Sequence, residues 1–290
     1  MGFLRSTLAF LLLLAAAALG VGGAVAQWAD MAARTPSPAR QIVAPIATDA
    51  GVRAALAETL TERAAREIPE IAEAVKGLPA RLETLIGAAV DTALADPEID
   101  RAWLAAIDAT RLAMVDDIEH HDGTTPPTLW FDLTPFVDLA KARLIAAADD
   151  RVRPFLEDIS WTAEPRAALL RLDPDQAELA ADALRWAGRW PWLYGAALAA
   201  AVVGLVVGPR RGRWGALLVV GLLTAGGVAA AGWAVGLVEV PNGSSLGTTL
   251  AGALVHGSLA HLAAWLRPVP AVALAAAAVG AIGLVAARPR

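Results

Sequence analysis

The chain has 290 residues, 57% of them hydrophobic, with a formal net charge of −5 and no cysteine. The missing cysteine excludes disulfides, thiolate nucleophiles and cysteine-type zinc sites. Between Asp30 and Arg189 lie 28 of the 29 acidic residues and 17 of the 24 basic residues, which gives this stretch a formal charge of −11. Such a stretch repels nucleic-acid phosphates, so we expect no nucleic-acid partner.

Four apolar segments are long enough to cross a bilayer, whose hydrocarbon core takes about 20 helical residues. They cover residues 8–26, 190–208, 215–238 and 269–287, and none contains Asp, Glu, Lys, Arg or His. Arginines precede the first segment, fill the loop after the second and end the chain, and the positive-inside rule places all three positions in the cytoplasm. The sequence therefore predicts a multi-pass plasma-membrane protein with cytoplasmic termini and with residues 28–189 outside the cytoplasm.

Two of the apolar segments have a second interpretation. Residues 1–27 are either a retained transmembrane helix or a signal peptide, with Ala24-Val25-Ala26 as its cleavage site. Residues 249–266 are apolar enough for a fifth span, but they contain two histidines and precede Pro268 and Pro270. We favour a helix near 246–267 that lies on the outer interface and is broken from the last span at these prolines.

The exported stretch is predicted to be mostly helical. Apolar residues recur there every four positions after the capping candidates Thr48 and Asp49. Asp96-Pro97, Thr134-Pro135 and Asp173-Pro174 are typical helix starts. Residues 129–133 and 167–172 are short apolar runs that can pair as a small β ribbon.

The predicted fold is therefore an all-α membrane protein with four transmembrane helices and a possible short β ribbon. Its first transmembrane helix lies in residues 1–27 and the exported helical domain is 28–189. Residues 190–290 hold three transmembrane helices and the outer interfacial helix.

A cluster of Glu119, His120, His121 and Asp122 is the most metal-like group of the chain. Carboxylate and imidazole side chains together suit zinc or a similar divalent ion. Neighbouring residues of a helix point about 100° apart, however, so four in a row cannot converge on one ion. A solvated helix end explains the cluster equally well. The cluster is kept as a metal candidate, and no cofactor is predicted.

Glycines four residues apart occur in two of the spans, as Gly204 with Gly208 and Gly232 with Gly236. This spacing lets helix backbones approach closely, either within the bundle or against a partner protein. The four spans contain no charged residue of the kind that marks a transport pathway. The sequence also has no nucleophile elbow, P-loop or dinucleotide-binding motif, and we expect a protein that is not an enzyme.

Two motifs of the middle stretch are QIVAPIATDAGVRAALAETLTER from Gln41 and LWFDLTPFVDLAKARL from Leu129. One predicted span precedes these motifs, and three follow them, with an arginine-rich loop after the first of the three. In these motifs and this order of spans, the chain resembles a group of uncharacterised actinobacterial integral membrane proteins. The resemblance implies this architecture, and it implies no activity and no catalytic residue.

The leading hypothesis for function is a scaffold or accessory subunit of an envelope membrane complex. In that hypothesis the acidic domain engages another membrane or envelope protein. The alternative is a sensor module that binds lipid or another envelope ligand.

Overall fold

The computed structural model describes residues 2–72, 79–120, 127–147, 153, 165–235 and 245–287. Most of them are helical, and the described strands form one two-stranded sheet, which confirms the all-α membrane fold with a small β ribbon. Up to the second apolar segment the elements are α1 (Gly2–Arg34), α2 (Pro36–Ala47), α3 (Ala50–Ala72), α4 (Pro79–Leu94), α5 (Ile99–Glu119), β1 (Thr128–Asp132), α6 (Thr134–Ala147), β2 (Arg166–Arg171) and α7 (Pro174–Ala187). The apolar C-terminal part contains α8 (Trp190–Val207), α9 (Arg210–Val235), α10 (Leu246–Leu266) and α11 (Pro268–Ala286).

The chain divides into two compact units. The unit that we call the membrane unit comprises residues 1–32, 181–239 and 258–290, and the unit that we call the acidic unit comprises 33–180 and 240–257. The division falls inside α10, so the first part of this helix is counted with the acidic unit.

Side-chain hydrogen bonds fix several helix starts in the acidic unit. Asp49 caps α3, because its Oδ1 accepts the N–H of Val52 at 2.9 Å. At α7 the N–H of Asp173 donates to Oε1 of Gln176 at 3.2 Å, the reciprocal half of a capping box. The start of α5 differs from the prediction, because Asp96 holds a turn and the helix begins only at Ile99.

The β ribbon packs on an aromatic core. Its strands are antiparallel, with Phe131 opposite Ala167. The ring centroid of Trp103 lies 4.9 Å from that of Phe136 and 5.9 Å from that of Phe131. All three aromatic side chains are buried. Such edge-on and tilted ring pairs add to the stabilisation that comes from burying their area, so this cluster holds α5, α6 and the ribbon together.

The first part of α10 completes the core of the acidic unit. Leu246 and Leu250 are buried. Between them, Gly247 lies so close to the carbonyl group of Ala168 in β2 that a β-carbon there would overlap its oxygen. Only glycine permits this approach of a helix to a strand.

Four stretches in the described part of the chain are long and apolar enough to cross a membrane: Leu4–Arg34, Trp190–Val207, Arg211–Trp233 and Leu246–Ala286. The last covers α10 and α11 together. Arg267 between them has helical backbone angles, with φ −50° and ψ −39°. Pro268 and Pro270 lie in the first turn of α11, where backbone N–H groups have no helical acceptor. That residues 246–267 lie on the interface stays a prediction.

Within the membrane unit, the backbones of α9 and α11 lie close together. A β-carbon on Gly221 would lie 2.5 Å from the carbonyl oxygen of Ala273, and one on Gly280 would lie 2.6 Å from the amide nitrogen of Leu218. Gly283 lies directly against the indole ring of Trp214. Small residues thus let these two helices touch along several turns.

The Gly247 contact generates a stability prediction for the acidic unit. We expect Gly247→Ala to destabilise the packing of α10 on β2 by about 1–3 kcal/mol, because the added methyl group overpacks a backbone contact. Hydrogen–deuterium exchange of the β2 amides in mild detergent measures this opening free energy.

The matched control is Gly87→Ala in α4, where a β-carbon would meet no heavy atom within 4 Å. This substitution should be neutral or stabilise by about 0.5–1 kcal/mol, since alanine favours a helix over glycine. Equal protection of β2 in the two variants would contradict the described contact.

Candidate functional site

The described side chains of the predicted metal cluster contact different residues and do not converge on one point. Oε1 of Glu119 accepts a hydrogen bond from Nη2 of Arg34 at 2.8 Å. Nδ1 of His120 lies 3.0 Å from Oδ1 of Asp116. His121 and Asp122 lie outside the described residues. Among the residues that are described, no group of three or more metal-binding side chains comes together, and the metal assignment stays a prediction.

The predicted glycine pairs occupy different surroundings. In α8, a β-carbon on Gly204 would lie 3.2 Å from Cβ of Leu12, and one on Gly208 would lie 3.0 Å from Cβ of Ala9. Both glycines therefore lie against α1. A β-carbon on Gly232 would meet no heavy atom within 4 Å, and Gly236 lies outside the described residues.

Two indole hydrogen bonds join α1 to α10. Nε1 of Trp28 donates to Nδ1 of His261 at 2.9 Å, and Nε1 of Trp265 donates to the carbonyl oxygen of Ala24 at 3.1 Å. The donor and acceptor positions are four residues apart in each helix, so each pair lies on one helix face. The two helices are therefore antiparallel neighbours in a defined register. We call this end of the membrane unit the Trp28 end.

The helix α8 contacts α1 at the same end through Tyr194. The hydroxyl group of Tyr194 donates to Oε1 of Gln27 at 3.0 Å. The ring of Tyr194 lies edge-on to that of Trp190, with centroids 5.9 Å apart. A β-carbon on Gly23 would lie 3.0 Å from this tyrosine ring. Polar contacts between three helices thus concentrate at the Trp28 end.

Two apolar cavities lie between α1, α9, α10 and α11. The larger has a volume of about 800 Å³ and the smaller about 700 Å³. Both are lined by Ala17, Val21 and Thr224, so they adjoin on two sides of the place where α1 faces α9. Both volumes fall in the range of roughly 300–1,000 Å³ that is typical of small-molecule sites.

Most polar groups on the cavity walls already form hydrogen bonds within the protein. The hydroxyl group of Thr224 donates to the carbonyl oxygen of Val220 at 2.8 Å, and the polar atoms of Tyr194 and Trp265 are used at the Trp28 end. The exception is Arg267, which is the one charged residue among the described residues that line either cavity. An occupant therefore meets hydrocarbon on nearly every side and one guanidinium group.

Gly232, which the sequence assigned to helix packing within the bundle or against a partner, lines the smaller cavity, and its packing role stays a prediction. The sequence alone did not predict that Trp28 pairs with His261, and it did not predict that Arg267 lines a cavity. The available signal was the spacing of four residues between Ala24 and Trp28 and between His261 and Trp265. That spacing marks a helix face but does not identify the opposite helix.

Comparison of the chain with protein-family models, with curated proteins and with solved structures gives no match. The resemblance to the actinobacterial group stays a prediction. Function is therefore inferred from the geometry of the membrane unit.

The Trp265 hydrogen bond should measurably hold α10 on α1. We expect Trp265→Phe to destabilise the membrane unit by about 1 kcal/mol, because the substitution removes an interhelical hydrogen bond in an apolar environment. Hydrogen–deuterium exchange of residues 258–266 in mild detergent checks the change.

Trp192→Phe is the matched control, since Trp192 is 80% exposed and its indole makes no hydrogen bond within the described part of the chain. If both variants exchange like the parent protein, the hydrogen bond does not stabilise this contact.

Proposed function

We propose that the protein is a lipid-binding membrane protein whose two cavities hold the apolar chains of membrane lipid. The observation that carries this proposal is the pair of adjoining cavities, of about 800 and 700 Å³, with nearly all of their polar lining groups hydrogen-bonded elsewhere. A buried water needs about two to four polar partners. The walls of these cavities offer few, so hydrocarbon is the better occupant.

The position of the cavities supports the same proposal. They are lined by the apolar parts of α1, α9 and α11, which belong to stretches long enough to cross a bilayer. A chain that enters between these helices exchanges contact with fluid lipid for contact with several fixed protein surfaces. Tyr194 and Trp265 line the larger cavity, and such aromatic side chains favour the level of lipid head groups.

The proposal assigns the protein to the plasma membrane as a non-enzymatic, lipid-binding module. The arginine pattern supports cytoplasmic termini and an acidic domain outside the cytoplasm. With this orientation the Trp28 end is the outer end of the spans.

A second candidate is the accessory subunit. A specific observation favours it, because Gly227 and Gly232 in α9 line the smaller cavity and both have open space where a β-carbon would be. A helix of a partner membrane protein with small residues can approach such a surface closely. In this candidate the partner's helix takes the place that we assign to lipid.

The lipid proposal predicts that filling the smaller cavity expels its occupant. We expect the double variant Gly227→Leu with Gly232→Leu to lower the occupancy of the smaller cavity about tenfold, since overpacking a site by two leucines costs more than 1 kcal/mol. The larger cavity keeps its lipid, so co-purified lipid per protein falls by the share that the smaller cavity holds. The measurement is mass spectrometry of lipid per protein after extraction with a membrane-solubilising polymer.

The control variant is Gly226→Leu, on the same helix, at a glycine that has open space and lines neither cavity. It should retain lipid like the parent protein. A stoichiometric membrane protein in place of lipid would establish the accessory subunit instead. A parent protein free of both would overturn both candidates.

A further inference from the structure

We infer that the smaller cavity is a site for an anionic lipid, whose charged head group pairs with Arg267 while its chain occupies the cavity. The inference rests on the proposed lipid-binding function and adds the head-group class that the site selects. It concerns Arg267, which lines this cavity together with Val21, Leu266 and Pro270.

The register between α1 and α10 locates Arg267 along the membrane unit. His261 is hydrogen-bonded to Trp28, and Trp265 is hydrogen-bonded to Ala24. Moving four residues forward along α10 therefore corresponds to moving four residues backward along α1. Arg267 follows two residues after Trp265 and shares the cavity wall with Val21. It therefore lies beside the apolar segment 8–26 of α1, six residues or about 1.7 helical turns from the pair of Trp28 and His261.

A guanidinium group at this level needs a partner. An unpaired charge among apolar groups is unfavourable, and paired or hydrated arginines are the rule in membrane spans. No carboxylate among the described residues forms an ion pair with Arg267, and its side chain is exposed. Its counterion therefore comes from outside the described part of the chain, and we assign this role to a lipid head group.

The chemistry of the site selects an amphiphile with a negative head group. The planar guanidinium group binds phosphate with two parallel hydrogen bonds. The adjoining wall of Val21, Leu262 and Leu266 binds hydrocarbon. A free phosphate ion leaves this wall empty and a neutral lipid leaves Arg267 unpaired, whereas an anionic lipid satisfies both. A zwitterionic lipid has a phosphate too, but its ammonium group meets the like charge of Arg267.

The test is a competition between two lipids with identical chains. The full-length protein is reconstituted into vesicles of equal parts phosphatidylglycerol and phosphatidylcholine and then extracted again in mild detergent. Mass spectrometry gives the ratio of the two retained lipids. We expect about a tenfold excess of phosphatidylglycerol, as one charge-assisted pairing provides.

Variants at Arg267 separate head-group selection from chain binding. In Arg267→Gln the ratio should fall to about one while lipid is still retained, and Arg267→Lys should keep part of the preference because the charge remains. The matched control is Arg189→Gln, which removes the same charge from an arginine that lies over the Trp186 ring and lines neither cavity. This control should keep the tenfold preference.

The outcomes distinguish this inference from the proposed function. Lipid retained without head-group preference, or a preference that survives Arg267→Gln, overturns the anionic site and leaves lipid binding intact. A protein that retains neither lipid overturns the proposed function together with the inference.

Discussion

Apolar helices in a bilayer gain little by covering hydrophobic surface, because the surrounding lipid is as apolar as they are. Their association depends instead on close packing and on the few polar contacts that they share. In this protein close packing occurs where α9 and α11 touch at Gly221 and Gly280, and where α8 meets α1 at Gly204. The polar contacts concentrate at the Trp28 end. α1 also packs on α9, where Leu13 forms a buried apolar cluster with Ala216 and Val220.

The cavities follow from this distribution. α1 is tied to α10 at one end by two indole hydrogen bonds, and its Leu13 packs with Ala216 and Val220 of α9. On the two sides of this contact, small residues such as Ala17 and Val21 leave space unfilled. The two cavities have apolar walls, and Arg267, the charged residue that lines the smaller one in the described part of the chain, lies near the Trp28 end. A site with this polarity matches a lipid, with its head group at one end and its chain along the spans. The contacts that hold the spans together therefore also create the cavities to which we assign the lipid.

The sequence predicted most of the fold because composition and periodicity are local signals. Apolar length identified the spans, and Asp49 and Asp173 marked helix starts that the structure confirms. The site was harder to predict, because it depends on how each helix is rotated. Gly204 and Gly232 both begin a pair with the same spacing, yet the first lies against Leu12 and the second lines a cavity. The same limit applies to Arg267, which sequence reasoning left as a flank of a predicted break. The backbone there is helical, so the arginine stays beside the apolar part of α1.

The central claim is that lipid, and not water or another protein chain, occupies the two cavities that flank the contact between α1 and α9. Electron cryo-microscopy of the full-length protein in nanodiscs made from native membrane lipid tests it directly. The account predicts elongated, unbranched density along Ala17, Val21 and Thr224 in the two cavities. Density of a polypeptide helix in either cavity, or cavities closed by the helices around them, would contradict it.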